Sequence, residues 1–261
     1  MRRGDRRPRH LEMGVLLLIS EILSIGYDVI PPITLCTIIG QTLLYVEAFE
    51  VPWSKHDVCI SAKKVWYDKN YKTLLLSTFE HADDMHLYYN MISFLLKGRT
   101  LEPLYGSANF ALLLSILCLM TSSIYVSLGV LLSNVLNDSS LLYSCAIGFS
   151  GVIFALKIIT TDNSSGSSVI MGIRVPTKYA AWAELIAIHI LVPNASFLGH
   201  LAGIIAGVLY VKTPLKRIID GVCTTITGIA ALFYCLINYI NRKVSFSAIL
   251  EEESFLIHFL R

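Results

Sequence analysis

The sequence predicts an all-α polytopic membrane protein: a bundle of six transmembrane helices with a candidate extra apolar helix at the C-terminal end. Three observations predict it. The 261 residues are 54% hydrophobic and only 15% charged, against about 25% charged for a soluble domain, and the mean hydropathy is +0.62. The apolar residues gather into runs of membrane-crossing length. The polar stretches between them place Lys and Arg on alternate sides, as the positive-inside rule requires. The net charge of +2 says little about partners, and no basic run interleaved with aromatics points to nucleic acid. There is no repeat at a fixed period, which argues against the repeat-built transporter folds.

Residues 1–10 carry five arginines beside an apolar run, which predicts a cytoplasmic N-terminus. Glu21 and Asp28 interrupt the run that follows, and no small-residue cleavage site marks a signal peptide. Residues 13–49 exceed one span of about 20 residues, and Pro31-Pro32 breaks them, since proline suits a first helical turn. Residues 11–27 are therefore read as an interfacial or partly inserted helix, and the first span as 31–49. Residues 50–82, with Trp53, Trp66 and several tyrosines, read as a non-cytoplasmic loop at the interface. The second span runs from Asp84 to Lys97, with Lys97 and Arg99 marking the return to the cytoplasm. Residues 107–137 are free of charge and give the third span. Asn137-Asp138-Ser139 is a glycosylation sequon if its loop is luminal. The fourth span is 142–159, ending near Lys157. A Ser/Gly-rich cytoplasmic loop, 160–178, follows. The fifth span is 179–192; a turn at Pro193-Asn194-Ala195 leads to the sixth, 195–211, whose exit at Lys212, Lys216 and Arg217 is cytoplasmic. Residues 221–240 form a further apolar run that either spans or lies at the interface. The chain thus divides into an N-terminal region (1–30), a six-span core (31–213) and an apolar C-terminal segment (214–261).

Spans two, four and six all begin on the non-cytoplasmic side, so depth follows from the helical rise of about 1.5 Å per residue. Ser150, seven residues past Tyr143, lies roughly 10 Å deep; His200, six past Asn194, and Asn90, six past Asp84, lie roughly 9 Å deep, with His86 one turn above. Polar groups at membrane depth are costly and face a bundle interior or a wet cavity. Small residues, Ala146, Gly148, Gly151 and Ala155 on one helix and Gly203 and Gly207 on the other, allow close helix approach. A serine hydroxyl is a weak nucleophile until a base takes its proton, and His200 can do so near neutral pH. The oxyanion then needs donors: Asn90, His86 and the backbone N–H of Ser150. No carboxylate stands at the same depth on these spans, so the pair is a Ser-His dyad.

Each residue also has a plainer reading. Ser150 could bond back to its own helix, His200 could pack between helices, and His86 and Asn90 could be interhelical glue. His81, Asp83, Asp84 and His86 crowd together, but there is no HExxH pattern, and no metal or cofactor is expected. Glu102 reads as a cytoplasmic ion pair, and Glu184 and His189 have no evident partner. Four cysteines, Cys36, Cys118, Cys223 and Cys235, lie in apolar stretches as small hydrophobes. Cys59 and Cys145 both fall on the non-cytoplasmic side, and spacing alone does not fix whether they pair. The serine is not a soluble-hydrolase elbow, which is G-x-S-x-G after a strand. An aspartyl intramembrane protease is excluded because no Gly-x-Gly-Asp follows Tyr27-Asp28.

His86-Leu87-Tyr88-Tyr89-Asn90, Gly148-Phe149-Ser150-Gly151, and His200-Leu201-Ala202-Gly203 with Gly207 resemble, in order, the three motifs of the rhomboid intramembrane serine proteases. Leu101-Glu102 with Gly106, and Phe154 four residues after the serine, extend the resemblance over residues 30–213. The runs at 31–34, 81–91, 146–157 and 196–204 look most like the family's endoplasmic-reticulum branch. The resemblance implies Ser150 as nucleophile, His200 as base, His86 and Asn90 as oxyanion contributors, and Phe154 stacked on the histidine. It implies cleavage of transmembrane segments of client proteins in the endoplasmic-reticulum membrane, in protein quality control. The rival within the family is an inactive rhomboid-like binder of client helices, but such relatives usually lack the serine or the histidine. Relatives of that branch bind ubiquitin and an AAA ATPase through a long soluble tail; this C-terminal segment is short and apolar, so those partners are not expected.

Overall fold

The computed structural model describes residues 12–162 and 164–259, and it is mostly helical. The arginine-rich residues 1–10 lie outside the described residues. In chain order the helices are α1 (Met13–Ile25), α2 (Pro32–Tyr45), the single turns α3 (Lys55–Val58) and α4 (Thr73–Leu76), α5 (Asp84–Tyr105), α6 (Ser107–Val135), the turn α7 (Ser140–Tyr143), α8 (Ser150–Thr161), α9 (Ala180–Leu191), α10 (Phe197–Lys212) and α11 (Leu215–Phe259). The 160–178 loop is not plain coil: β1 (Ser167–Ile170) and β2 (Ile173–Pro176) pair antiparallel there, with Ile170 opposite Ile173. The chain divides after Arg217 into two compact units.

By length and composition, two helices among the described residues are long and apolar enough to cross a membrane, Ser107–Val135 and Leu215–Ile240. The helices α1, α2, α8 and α10 are apolar but shorter. Of these, α8 has only 12 residues, about 18 Å at the helical rise, because the chain just before it is not helical. The run 142–159 is therefore not one continuous helix. The second expected span is longer than read: α5 continues to Tyr105. Lys97 does not mark its end, because its ammonium bonds to the Ser93 hydroxyl at 2.8 Å and stays buried.

In the first unit, α8 and α10 pack most closely, with α5 and α6 against them. Glycine makes this possible: a Cβ on Gly203 would overlap the carbonyl oxygen of Gly151, and one on Gly207 would lie 2.8 Å from that of Ala155. Backbone meets backbone along this seam, the geometry that small residues give membrane helices.

One other expectation changes. Glu102 is not a surface ion pair. It is 1% exposed and accepts the N–H groups of Ile33 (2.9 Å) and Thr34 (2.8 Å) and the hydroxyls of Thr34 (2.7 Å) and Ser107 (2.7 Å). A carboxylate thus satisfies the donors left free at the start of α2 and ties α2, α5 and α6 together. Helix α1, read as interfacial or partly inserted, is tied to the bundle. Gly14 N–H donates to Asp84 at 2.8 Å, Tyr45 donates to Glu12 at 2.7 Å, and α1 packs along α5. The start of α1 and the end of α2 therefore lie at the end of the bundle where α5 begins.

Helix α11 is a single helix of 45 residues. Between Ile226 and Ile240 it exposes Ile229, Leu232, Phe233 and Tyr234 among others, an apolar surface suited to lipid.

Candidate active site

Ser150 is the first residue of α8. The segment before it is held by contacts distant in sequence. Ile60 and Ala146 exchange both backbone hydrogen bonds, at 2.8 and 2.9 Å. Cys59 and Cys145, next to that pair, are joined as a disulfide. The N–H of Gly148 donates to Ser77 O at 2.9 Å. Gly148 has φ 120°, a conformation that favours glycine. The chain therefore turns sharply into α8 and leaves the hydroxyl of Ser150 at the helix start, where the first N–H groups have no carbonyl a turn earlier to bond.

His200 lies in the first turn of α10, whose N-cap Ser196 accepts the N–H of Gly199 at 3.1 Å. The Nε2 of His200 is 2.9 Å from Oγ of Ser150. The two side chains, 50 residues apart in sequence, are within hydrogen-bonding reach. Phe154, one turn after the serine, lies against the imidazole with ring centroids 4.9 Å apart. The Nδ1 of His200 is buried and has no hydrogen-bond partner among the described residues, so no carboxylate orients the base.

His86 and Asn90 stand one turn apart on α5, which Asp83 caps by accepting the N–H of His86 at 2.8 Å. The imidazole of His86 lies against Gly148: a Cβ there would be 2.7 Å from Cε1 and 2.9 Å from Nε2. The N–H of Ala82 approaches Nδ1 of His86 at 3.4 Å. A proton on Nε2 fits that contact, leaving a donor directed at the segment before Ser150. Asn90 donates an amide hydrogen to His86 O at 2.8 Å and is buried. Ser150 and His200 thus meet directly, His86 borders the approach to Ser150, and Asn90 sits a turn behind it.

A cavity of about 40 Å³ adjoins Ser150, lined by Ser77, Thr78, Thr121, Ser122, Tyr125 and Ser196 among others. A single water needs roughly 10–15 Å³ on this measure, so the space and its hydroxyls suit a small store of water. These residues lie on loops and on α6, and no single-helix spacing marks them in the sequence. Among the described residues no cluster of three or more potential metal ligands occurs. His81, the most buried of the four crowded acidic and histidine residues, packs edge-on against His86 with centroids 5.1 Å apart, and burial pushes its imidazole well below the usual histidine range.

The family model described as Rhomboid domain matches residues 68–217, a stretch that includes His86, Asn90, Ser150 and His200. Rhomboid-related protein 4 of Mus musculus is 42% identical over 218 residues, covering 83% of this chain and 68% of the relative. The chain belongs to the rhomboid family. Rhomboid-like protein 14, mitochondrial, of Arabidopsis thaliana is 39% identical over 221 residues, 82% of this rhomboid and 66% of that one. Rhomboid-type serine protease 2 of Yarrowia lipolytica is 25% identical over 191 residues, 62% of this chain and 63% of its own. No solved structure matches this rhomboid.

Two residues without a partner in sequence reasoning have one here. Glu184 pairs with Lys157 at 2.6 Å, joining α9 to α8. His189 stands beside His200, with ring centroids 5.6 Å apart. Lys212 pairs with Asp162, just after α8.

Proposed function

We propose that this rhomboid is an active intramembrane serine endopeptidase that cuts transmembrane segments of client membrane proteins. The observation that carries the reading is the 2.9 Å contact between Ser150 Oγ and His200 Nε2, within the range of a working nucleophile and its base. Ser150 Oγ attacks the scissile carbonyl while Nε2 of His200 takes its proton. The carbonyl oxygen becomes an oxyanion, stabilised by the N–H of Ser150, Nε2–H of His86 and the side-chain amide of Asn90. The peptide C–N bond breaks as His200 returns the proton to the leaving amine. A water then gives a proton to His200 and attacks the acyl-enzyme, and the proton passes back to Ser150 as the new carboxyl is released.

The reading extends to topology and place. A six-span core comprising α2, α5, α6, α8, α9 and α10, with the site opening away from the cytosol, fits the loop charges. An endoplasmic-reticulum membrane fits two features at the site end of the bundle. The Cys59–Cys145 disulfide belongs in an oxidising compartment. Asn137 of the sequon is exposed in the turn after α6. Clients would be single-span or multi-span proteins whose helices unwind at the site, in keeping with a role in membrane-protein quality control.

The test is purification in detergent and liposomes with a single-span substrate, comparing wild type with Ser150→Ala and His200→Ala. Each substitution is expected to lower the cleavage rate by roughly 10³-fold or more, since the pair acts as a unit. Cleavage that survives both overturns the reading. Client binding without cleavage by wild type points instead to a non-catalytic binder of transmembrane helices.

A further inference from the structure

We infer that His189 is a positioning residue for the base, holding the His200 ring in the orientation that presents Nε2 to Ser150. The inference rests on the proposed serine chemistry. His200 has no hydrogen-bond partner on Nδ1 among the described residues, so its ring is not held from that side by a carboxylate as in a triad. Its neighbours are rings. Phe154 on α8 lies across one face, tilted 33° at 4.9 Å, and His189 on α9 presents an edge contact, 75° at 5.6 Å.

His189 is itself fixed. Its Nδ1 lies 2.9 Å from Leu185 O in its own helix, and its Nε2 lies 3.2 Å from Ala195 O in the turn that leads to α10. Its ring meets Phe197, in the first turn of α10, edge to face at 4.9 Å. A neutral imidazole donates to only one of these two carbonyls at a time; with that bond and the Phe197 contact it links α9 to the chain entering α10, and it touches the ring of the base. A catalytic group misplaced by about 1 Å can lose 10²-fold in rate, so a ring with no polar partner beyond Ser150 depends on its neighbours.

Two substitutions separate the ring contact from the carbonyl contacts. His189→Phe keeps an aromatic edge beside His200 and loses both carbonyl contacts. His189→Asn keeps an amide donor near them and removes the ring. Two rates are read for each purified variant. One is modification of Ser150 by a fluorophosphonate, in which the Oγ–P bond forms, fluoride leaves and His200 takes the hydroxyl proton. The other is kcat and KM for a single-span substrate, with thermal midpoints alongside. His189→Asn is expected to slow Ser150 modification and kcat by about tenfold with KM within twofold, and His189→Phe to stay within threefold of wild type. If His189→Asn does not fold, His189→Gln removes the same ring and is read in its place.

Ser150 reacting at the wild-type rate in both ring-less and ring-bearing variants overturns this inference and leaves the protease reading standing. A loss confined to KM, or a phenylalanine variant as slow as the asparagine one, overturns it as well. A wild-type Ser150 that never reacts overturns both readings together.

Discussion

A Cβ on Gly148 would lie 2.7 Å from Cε1 of His86 and 2.9 Å from its Nε2, on a backbone whose φ is 120°. Gly148→Ala therefore has two costs, strain of about 1–2 kcal/mol in an unfavourable backbone region and displacement of His86. The expected outcome is a folded protein whose cleavage rate falls at least tenfold, checked by kcat beside the thermal midpoint. His86→Ala, which removes only the donor at this point, is expected to lower kcat by about 10²-fold with little change in KM, as loss of one oxyanion donor does. Ser150, His86 and His200 stood out in the sequence by residue type and depth, and Phe154 through the family resemblance alone. The setting of Ser150 was not legible there. An apolar run from 142 to 159 reads as one helix, and only pairing of Ala146 with Ile60 and of Gly148 with Ser77, far away in the chain, takes the residues before Ser150 out of the helix. His189 was equally opaque, since its neighbours belong to another helix and a turn.

Among the elements, α2 begins on a buried carboxylate. Glu102→Ala removes four accepted hydrogen bonds and leaves their donors inside the protein, with an expected loss of about 2–4 kcal/mol; the thermal midpoint in detergent measures it. Charge type alone suggested an ion pair for Glu102. Its actual role follows from the free donors at a helix start, a rule that applies once the start of α2 is known to sit beside it. The seam between α8 and α10 was readable from Gly203 and Gly207, because small residues at that spacing have few other uses in a membrane helix. Gly203→Leu is expected to part these helices, separating Ser150 from His200, and to abolish cleavage along with a marked fall in the thermal midpoint. The disulfide belongs to the same scale. Cys59 and Cys145 enclose 86 residues of sequence separation, and the bond anchors the strand leading into Ser150. Cys59→Ser with Cys145→Ser is expected to lower kcat several-fold and bring the midpoint down, and reduction of the wild type by dithiothreitol to reproduce both changes.

For the molecule as a whole, the charge rule and the packing of α1 point in different directions. By the charge rule alone the five arginines in residues 1–10 would go to the cytoplasm, whereas Gly14 bonds Asp84 at the site end of α5. With a backbone donor tied to a carboxylate and α1 lying along α5, residue 12 is expected on the site side. A cysteine at Glu12, in a background without other reactive thiols, should react with a membrane-impermeant maleimide from the same side as a cysteine at Asn137; reaction from the opposite side gives priority to the charge rule. Hydropathy found the apolar runs but could not show which helices are shortened by non-helical chain or lengthened past a buried lysine, because both are decided by tertiary partners. The central claim is that a hydroxyl and an imidazole on two helices form a proteolytic pair inside the membrane. Its most direct measurement is the mass of the two peptides released from a single-span substrate in proteoliposomes. Wild type is expected to make one cut within the substrate's transmembrane stretch that is missing with Ser150→Ala; products of the same mass from the alanine variant, or cuts confined to the substrate's soluble flanks, would contradict a proteolytic Ser150–His200 pair.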